Sequence, residues 1–150
     1  MVVGAYNNEF SAFYFNLHAD VGPGKPNKQD DVELVRLGIK ALRSSRKVQA
    51  GGPDAAAFMA ASAQVGPMGP YDPSIGAAVK AFQKLAGLTQ DGVVSRIVGS
   101  FAPSGNSYTL QIMLANMRFL YPNLYPRIDQ LAELGPTAST VIKHMFVRVS

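Results

Sequence analysis

The sequence predicts a mainly α fold: a three-helix bundle with a short N-terminal strand and a C-terminal extension that is part helix and part strand. Three observations predict it. Apolar residues recur at helical spacing over three separate stretches. Asp-Pro and Gly-Pro punctuation brackets those stretches. A hydrophobic content of 47% in 150 residues supplies the core of one ordinary domain without help from a disulfide or a metal.

The elements follow in chain order. In EFSAFYFNLH (residues 9–18), Phe13, Phe15 and Leu17 alternate with Tyr14 and Asn16, the period of a strand. ADVGPGKPNKQ is then a Gly/Pro loop, and its GPGKPN lacks the Gly-Lys-Ser/Thr ending of a phosphate loop. Asp30 or Asp31 is placed to cap a helix over about 31–44, whose apolar face is Val32, Val35, Ile39 and Leu42. Gly38 inside it costs about 1 kcal/mol against Ala, which points to close approach by a neighbouring helix. Residues 50–70 are biased toward Ala, Gly and Pro and read as an insertion, with Asp54 capping a short helix through about Gln64.

The next helix opens at Tyr71-Asp72-Pro73-Ser74, with Asp72 as cap and Pro73 at the first helical position. Ile75, Val79, Phe82 and Ala86 line one face, and Gly87 is the expected left-handed terminator, over which Leu88 folds back. Asp91-Gly92 makes a tight turn that returns Val93-Val94 to the core. A third helix is expected over about Tyr108–Leu120, with Leu110, Met113 or Leu114, Met117 and Leu120 as its stripe and Pro122 as its stop. Pro126 opens a short helix through Leu134, closed by Gly135-Pro136. In the tail, Thr137–His144 reads as helix and Phe146–Val149 as a strand beside the N-terminal one. The expected divisions are an arm over 1–19, a helical domain over 20–120 and an extension over 121–150.

Three of these segments resemble, in order, the helical peptidoglycan-binding domain found on many bacterial and phage cell-wall enzymes. DVGPGKPNKQDDVELVRLGI (Asp20–Ile39) is similar to that family's opening, a Val-Gly turn and an Asn before Asp-Val and the first helix. YDPSIGAAVKAFQKLAGLTQDGVV (Tyr71–Val94) is similar to its central Ala-Val-x-x-Phe-Gln helix followed by Gly-Leu and Asp-Gly. SGNSYTLQIMLANM (Ser104–Met117) is similar to its last helix. The resemblance implies a compact bundle of peptidoglycan-binding-domain type with a non-catalytic role: anchoring a partner to the cell wall.

The rest of the composition narrows the function classes. With no cysteine, thiol catalysis, cysteine zinc sites and iron–sulfur clusters are excluded. The two histidines, His18 and His144, belong to no HExxH motif, so no metal and no cofactor is expected. Paired carboxylates for glycoside hydrolysis are not apparent: Glu33 falls on the expected solvent face of its helix. The net charge of +4 is scattered, and its densest group, Arg43, Arg46 and Lys47, reads as a solvated helix end rather than a nucleic-acid stripe. No apolar run reaches the ~20 residues of a membrane span. MVVGAYNNEF lacks the basic start and apolar stretch of a secretory signal, so delivery to the wall by a phage particle or a contractile secretion machine is expected.

A groove for a glycan–peptide polymer needs aromatic faces, amide donors and acceptors, and a cation for stem-peptide carboxylates. Tyr71, Asp72, Lys80, Gln83, Lys84, Asp91 and Arg96 are the candidates around the central helix. The partners expected are peptidoglycan and other particle or secretion-machine proteins. The alternative is an assembly protein that reuses the bundle for protein–protein contacts alone.

Overall fold

The structure, a computed structural model, describes residues 2–3, 15–97, 109–125 and 127–149, of which 2–3 and 145–149 by their backbone. The described elements are β1 (Val2–Val3), β2 (Phe15–Asn16), α1 (Gln29–Leu42), α2 (Arg46–Gln49), α3 (Pro53–Ala63), α4 (Pro73–Ala86), α5 (Thr109–Leu120), a 3-10 turn (Ile128–Gln130) and α6 (Pro136–Val149). The fold is mainly α, as expected. The three apolar stripes belong to α1, α4 and α5, and Val35, Val79, Phe82 and Leu114 are all buried in one hydrophobic cluster.

α1 is the central rod. α5 and α6 pack on it, while α3 packs on α4 and also touches α2. Burial on nearly every side changes what its polar residues do. Asp31, Glu33 and Arg36 are all buried, and each fastens a different segment to the helix. The Asp31 carboxylate accepts from the backbone N–H groups of His18 (3.1 Å) and Ala19 (3.2 Å), holding the N-terminal arm. Asp31 is therefore not the cap expected of it: the helix starts at Gln29, and Lys28 in the capping position makes no side-chain cap bond. Arg36 donates to the carbonyls of Gly66 (2.6 Å) and Pro70 (2.7 Å), fixing the loop between α3 and α4.

Glu33 overturns the expectation of a solvent-facing charge. Its Oε1 accepts from the N–H groups of Thr137 (3.0 Å) and Ala138 (3.2 Å), the orphan donors in the first turn of α6. Gly135, the residue before that helix, has no side chain to cap it. A Cβ there would overlap the Glu33 carboxylate. A carboxylate from α1 thus serves as the N-cap of α6, at the end of the helix where negative charge is favoured.

Local punctuation explains the other ends. Asp72 caps α4 by accepting from Ser74 N (2.8 Å), with Pro73 in the first turn. Gly87 ends it in the left-handed region (φ 71°), and Leu88 N reaches back to Gln83 O (2.8 Å). α3 begins after Gly52, not at Asp54, which lies inside the first turn. α3, within the stretch read as an insertion, supplies buried Phe58, whose ring meets Phe82 edge-on at 5.5 Å. Gly38 is where the close approach was expected: a Cβ would stand 2.7 Å from Met113 Sδ, so the Met113 side chain of α5 lies directly on the α1 backbone.

Several expectations are corrected. Leu120 closes α5 but lies at the surface, so the buried stripe is Leu110, Met113, Leu114 and Met117. The helix expected from Pro126 to Leu134 is only the 3-10 turn, with Pro126 itself outside the described residues. Gly135-Pro136 opens a helix instead of closing one. α6 then runs through Phe146–Val149, where a strand was expected. No Gly or Pro interrupts 137–149, so a capped helix has nothing to stop it there. The early strand is described only at Phe15–Asn16, paired antiparallel with β1 (Val2↔Asn16, Val3↔Phe15). The rest of that expectation, including Glu9, Phe13 and Tyr14, lies outside the described residues. So does the segment 104–108 of the third motif, including Tyr108, where the third helix was expected to begin.

Candidate functional site

The site is assembled from α4, the turn after it and the first Gly/Pro loop. Residues 91–97 run back along 16–21. Val21 and Val94 form an antiparallel bridge with N–H···O distances of 3.1 and 2.8 Å. The Asn16 side chain donates to Ile97 O (2.9 Å) and accepts from Ile97 N (3.0 Å), and Asp20 accepts from Arg96 N (2.8 Å). These long-range bonds bring Pro23 against α4, which local sequence patterns do not signal.

Gln83 sets the height of the turn. It is only 2% exposed, and its amide is saturated. The two hydrogens of Nε2 are shared among Asp91 Oδ1 (3.0 Å), Val93 O (3.0 Å) and Thr109 Oγ1 (3.2 Å), while Oε1 accepts from Gly92 N (2.9 Å). One side chain therefore ties α4 to the Asp91-Gly92 turn and to the start of α5. Gly92 stands in the left-handed region (φ 70°), 3.0 Å from Gly76 O at the position a Cβ would take. Only glycine allows the turn to lie that close to α4.

The result is a groove of about 380 Å³ lined by Pro23, Tyr71, Gly76, Lys80, Asp91 and Gly92, among others. Tyr71 leans on the helix where Gly76 leaves room: a Cβ on Gly76 would sit 2.6 Å from the phenol oxygen. Burial, with the neighbouring Asp72 charge, pushes the Tyr71 hydroxyl above its ordinary range, so it stays a neutral donor. Lys80 is exposed on the rim. Asp91 is also exposed, though its Oδ1 is occupied by Gln83 and by Val93 N (3.0 Å). An aromatic and proline face with a cation on one side and a carboxylate on the other suits a ligand carrying amides, hydroxyls and carboxylates.

The structure brings Tyr71, Lys80 and Asp91 together on this groove, and places the remaining candidates elsewhere. Asp72 is engaged at the helix start: Ser74 holds its carboxyl below the ordinary carboxylate range through side chain and backbone, and Arg36 adds to this at 3.3 Å. Lys84 is exposed and faces Asp54 at 3.8 Å, a surface pair of small energetic value. Arg96 is exposed and lines none of the described grooves. A smaller cleft of about 200 Å³ shares Asp91 and adds Gln83, Thr89, Ser95 and Thr109. Pro23 and Gly76 went unmarked by sequence reasoning, and Gly92 was marked as a turn residue but not as part of a groove. The only signals for them were a Gly/Pro loop and glycines, which are equally the marks of plain turns.

Among the described residues, no group of three or more His, Cys, Asp or Glu could hold a metal ion. No described helix is long and apolar enough to cross a membrane. No curated protein and no solved structure matches the chain. Residues 57–98, which carry α4, the Asp91-Gly92 turn and most of α3, match the family model described as a putative peptidoglycan binding domain.

Proposed function

We propose that the protein is a non-catalytic peptidoglycan-binding module whose contact surface is the groove of Tyr71, Lys80 and Asp91. The match of residues 57–98 to a peptidoglycan-binding family carries this reading, because that segment supplies nearly the whole groove. In this reading the Tyr71 ring takes the apolar face of a sugar or lactyl group. Lys80 attracts stem-peptide carboxylates, and Asp91 accepts from amide or hydroxyl donors. Asp72, Gln83, Lys84 and Arg96 act through the scaffold and the general charge. Retention on insoluble peptidoglycan tests it. The protein is expected to sediment with the polymer at low salt and to release as salt screens Lys80. Tyr71→Ala and Lys80→Glu each weaken retention about tenfold, the order of one lost charged or aromatic contact. A protein that stays in the supernatant at low and moderate salt would overturn the proposal.

The route to the wall is part of the same reading: a component of a phage particle or contractile machine, carried there by its partners. One observation favours an assembly role as the second reading. Phe119, 74% exposed at the end of α5, is an aromatic left uncovered beside Leu120. A chain that sediments as a monomer, and whose behaviour is unchanged by Phe119→Asp, would remove that support.

A further inference from the structure

A larger cavity lies apart from the groove above. It holds about 730 Å³, within the ordinary range for small-ligand sites, and shares no lining residue with that groove. Its floor is α1, and its walls are the loop after α3 and residues 132–139, the latter outside the family match. Leu37, Ile39, Val65, Met68 and Leu134 make its lining largely apolar, and Met68 stands 71% exposed.

The floor also carries a row of cations. Arg36, Lys40 and Arg43 follow at helical spacing on one side of α1. Lys40 meets Glu133 at 3.2 Å, where both side chains are about half exposed. Arg36 donates mostly to carbonyls, reaches Asp72 at 3.3 Å, and keeps a buried Nε with no partner. Arg43 Nη1 donates to Met59 O (3.1 Å) and Ser62 Oγ, both uncharged, and among the described residues no carboxylate pairs with it. The lining therefore sets three cations against one carboxylate, beside apolar walls.

We propose that this cavity binds an apolar ligand bearing one carboxylate, with the carboxylate on the Arg43 guanidinium and the apolar body against Leu134, Val65 and Met68. A planar guanidinium is suited to a carboxylate in two-bond geometry, and a partly desolvated setting strengthens the pairing. Two sources share this chemistry: an alkyl carboxylate, and a short apolar peptide with a free C-terminus.

Calorimetric titration of the whole chain tests the proposal, with N-acetyl-Leu-Ala-Leu as free acid, the same peptide as its C-terminal amide, and octanoate. At least one acid is expected to bind saturably, and the peptide acid, where it binds, about tenfold or more tighter than its amide. Octanoate binding without the peptide identifies the alkyl source; the peptide acid binding alone identifies the peptide source. Arg43→Gln should weaken the bound acid about tenfold. Ala132→Trp, which fills the cavity from an exposed position, should abolish binding while circular dichroism reports an intact fold. Overturning results are equal affinity for acid and amide, no saturable heat from either acid, or undiminished binding in both variants. Because wall retention depends on the other groove, loss of either activity leaves the other measurable.

Discussion

Replacing Gln83 by Met keeps the volume of the side chain and deletes its four hydrogen bonds. The cost follows from where its partners lie. Asp91 is exposed and keeps its bond to Val93 N, and Val93 is half-buried, so water can take over at both. Gly92 N and the Thr109 hydroxyl are buried and have no such substitute. An orphaned buried polar group costs about 1–3 kcal/mol, and the Thr109 hydroxyl can turn to relieve part of its share. The sum is about 2–4 kcal/mol. For a chain of this size that lowers Tm by roughly 5–15 °C. Urea unfolding followed by far-UV circular dichroism should show the midpoint fall with its slope unchanged. Gln83→Glu should be worse at neutral pH, because a carboxylate cannot donate to Val93 O and repels Asp91, and should recover partly on acidification. A Gln83→Met protein within about 0.5 kcal/mol of the parent would refute the claim that this side chain sets the turn.

Two further outcomes follow from capping. Asp72→Ala should cost about 1 kcal/mol at neutral pH, the usual loss of a helix N-cap. Ser74 and Arg36 lower the folded-state pKa of Asp72, so its contribution is present above the unfolded value near 3.8 and is lost as pH falls through the folded one. Unfolding curves of parent and Asp72→Ala should accordingly converge below about pH 4 and stay apart above it. Glu33→Ala strips the cap from α6 and opens a void beneath it, for about 2–4 kcal/mol, whereas Glu33→Gln keeps an acceptor and costs less. Adding Gly135→Asp to Glu33→Ala should restore about 1 kcal/mol, since the clash that forbids a side chain at 135 has gone. Hydrogen exchange along α6 reads both steps; unchanged protection in Glu33→Ala would contradict the cross-helix cap.

The elements of α4 were legible because their determinants are local. An Asp-Pro start, an apolar residue at every helical return and a Gly-Leu end act within one or two turns, and each is written in neighbouring residues. The close approach at Gly38 was legible for the same reason: a glycine in a helix interior costs stability unless something fills the space it leaves. Of the groove, Tyr71, Lys80 and Asp91 were readable as residue types at suitable distances from α4. Their companions Pro23, Gly76 and Gly92 were not, because the pairing of 16–21 with 91–97 joins segments far apart in the chain.

By itself, then, the sequence determined where helices begin and end, and which of their faces are apolar. Only the tertiary structure decided what the polar residues do. Asp31, Glu33 and Arg36 look like ordinary charges on a helix surface, yet α1 is covered on nearly every side and they become the bonds that hold the arm, α6 and the α3–α4 loop. The reason is physical. Periodicity reports which face a helix would bury against one neighbour, whereas a buried charge is made tolerable by backbone donors and acceptors brought from elsewhere in the chain.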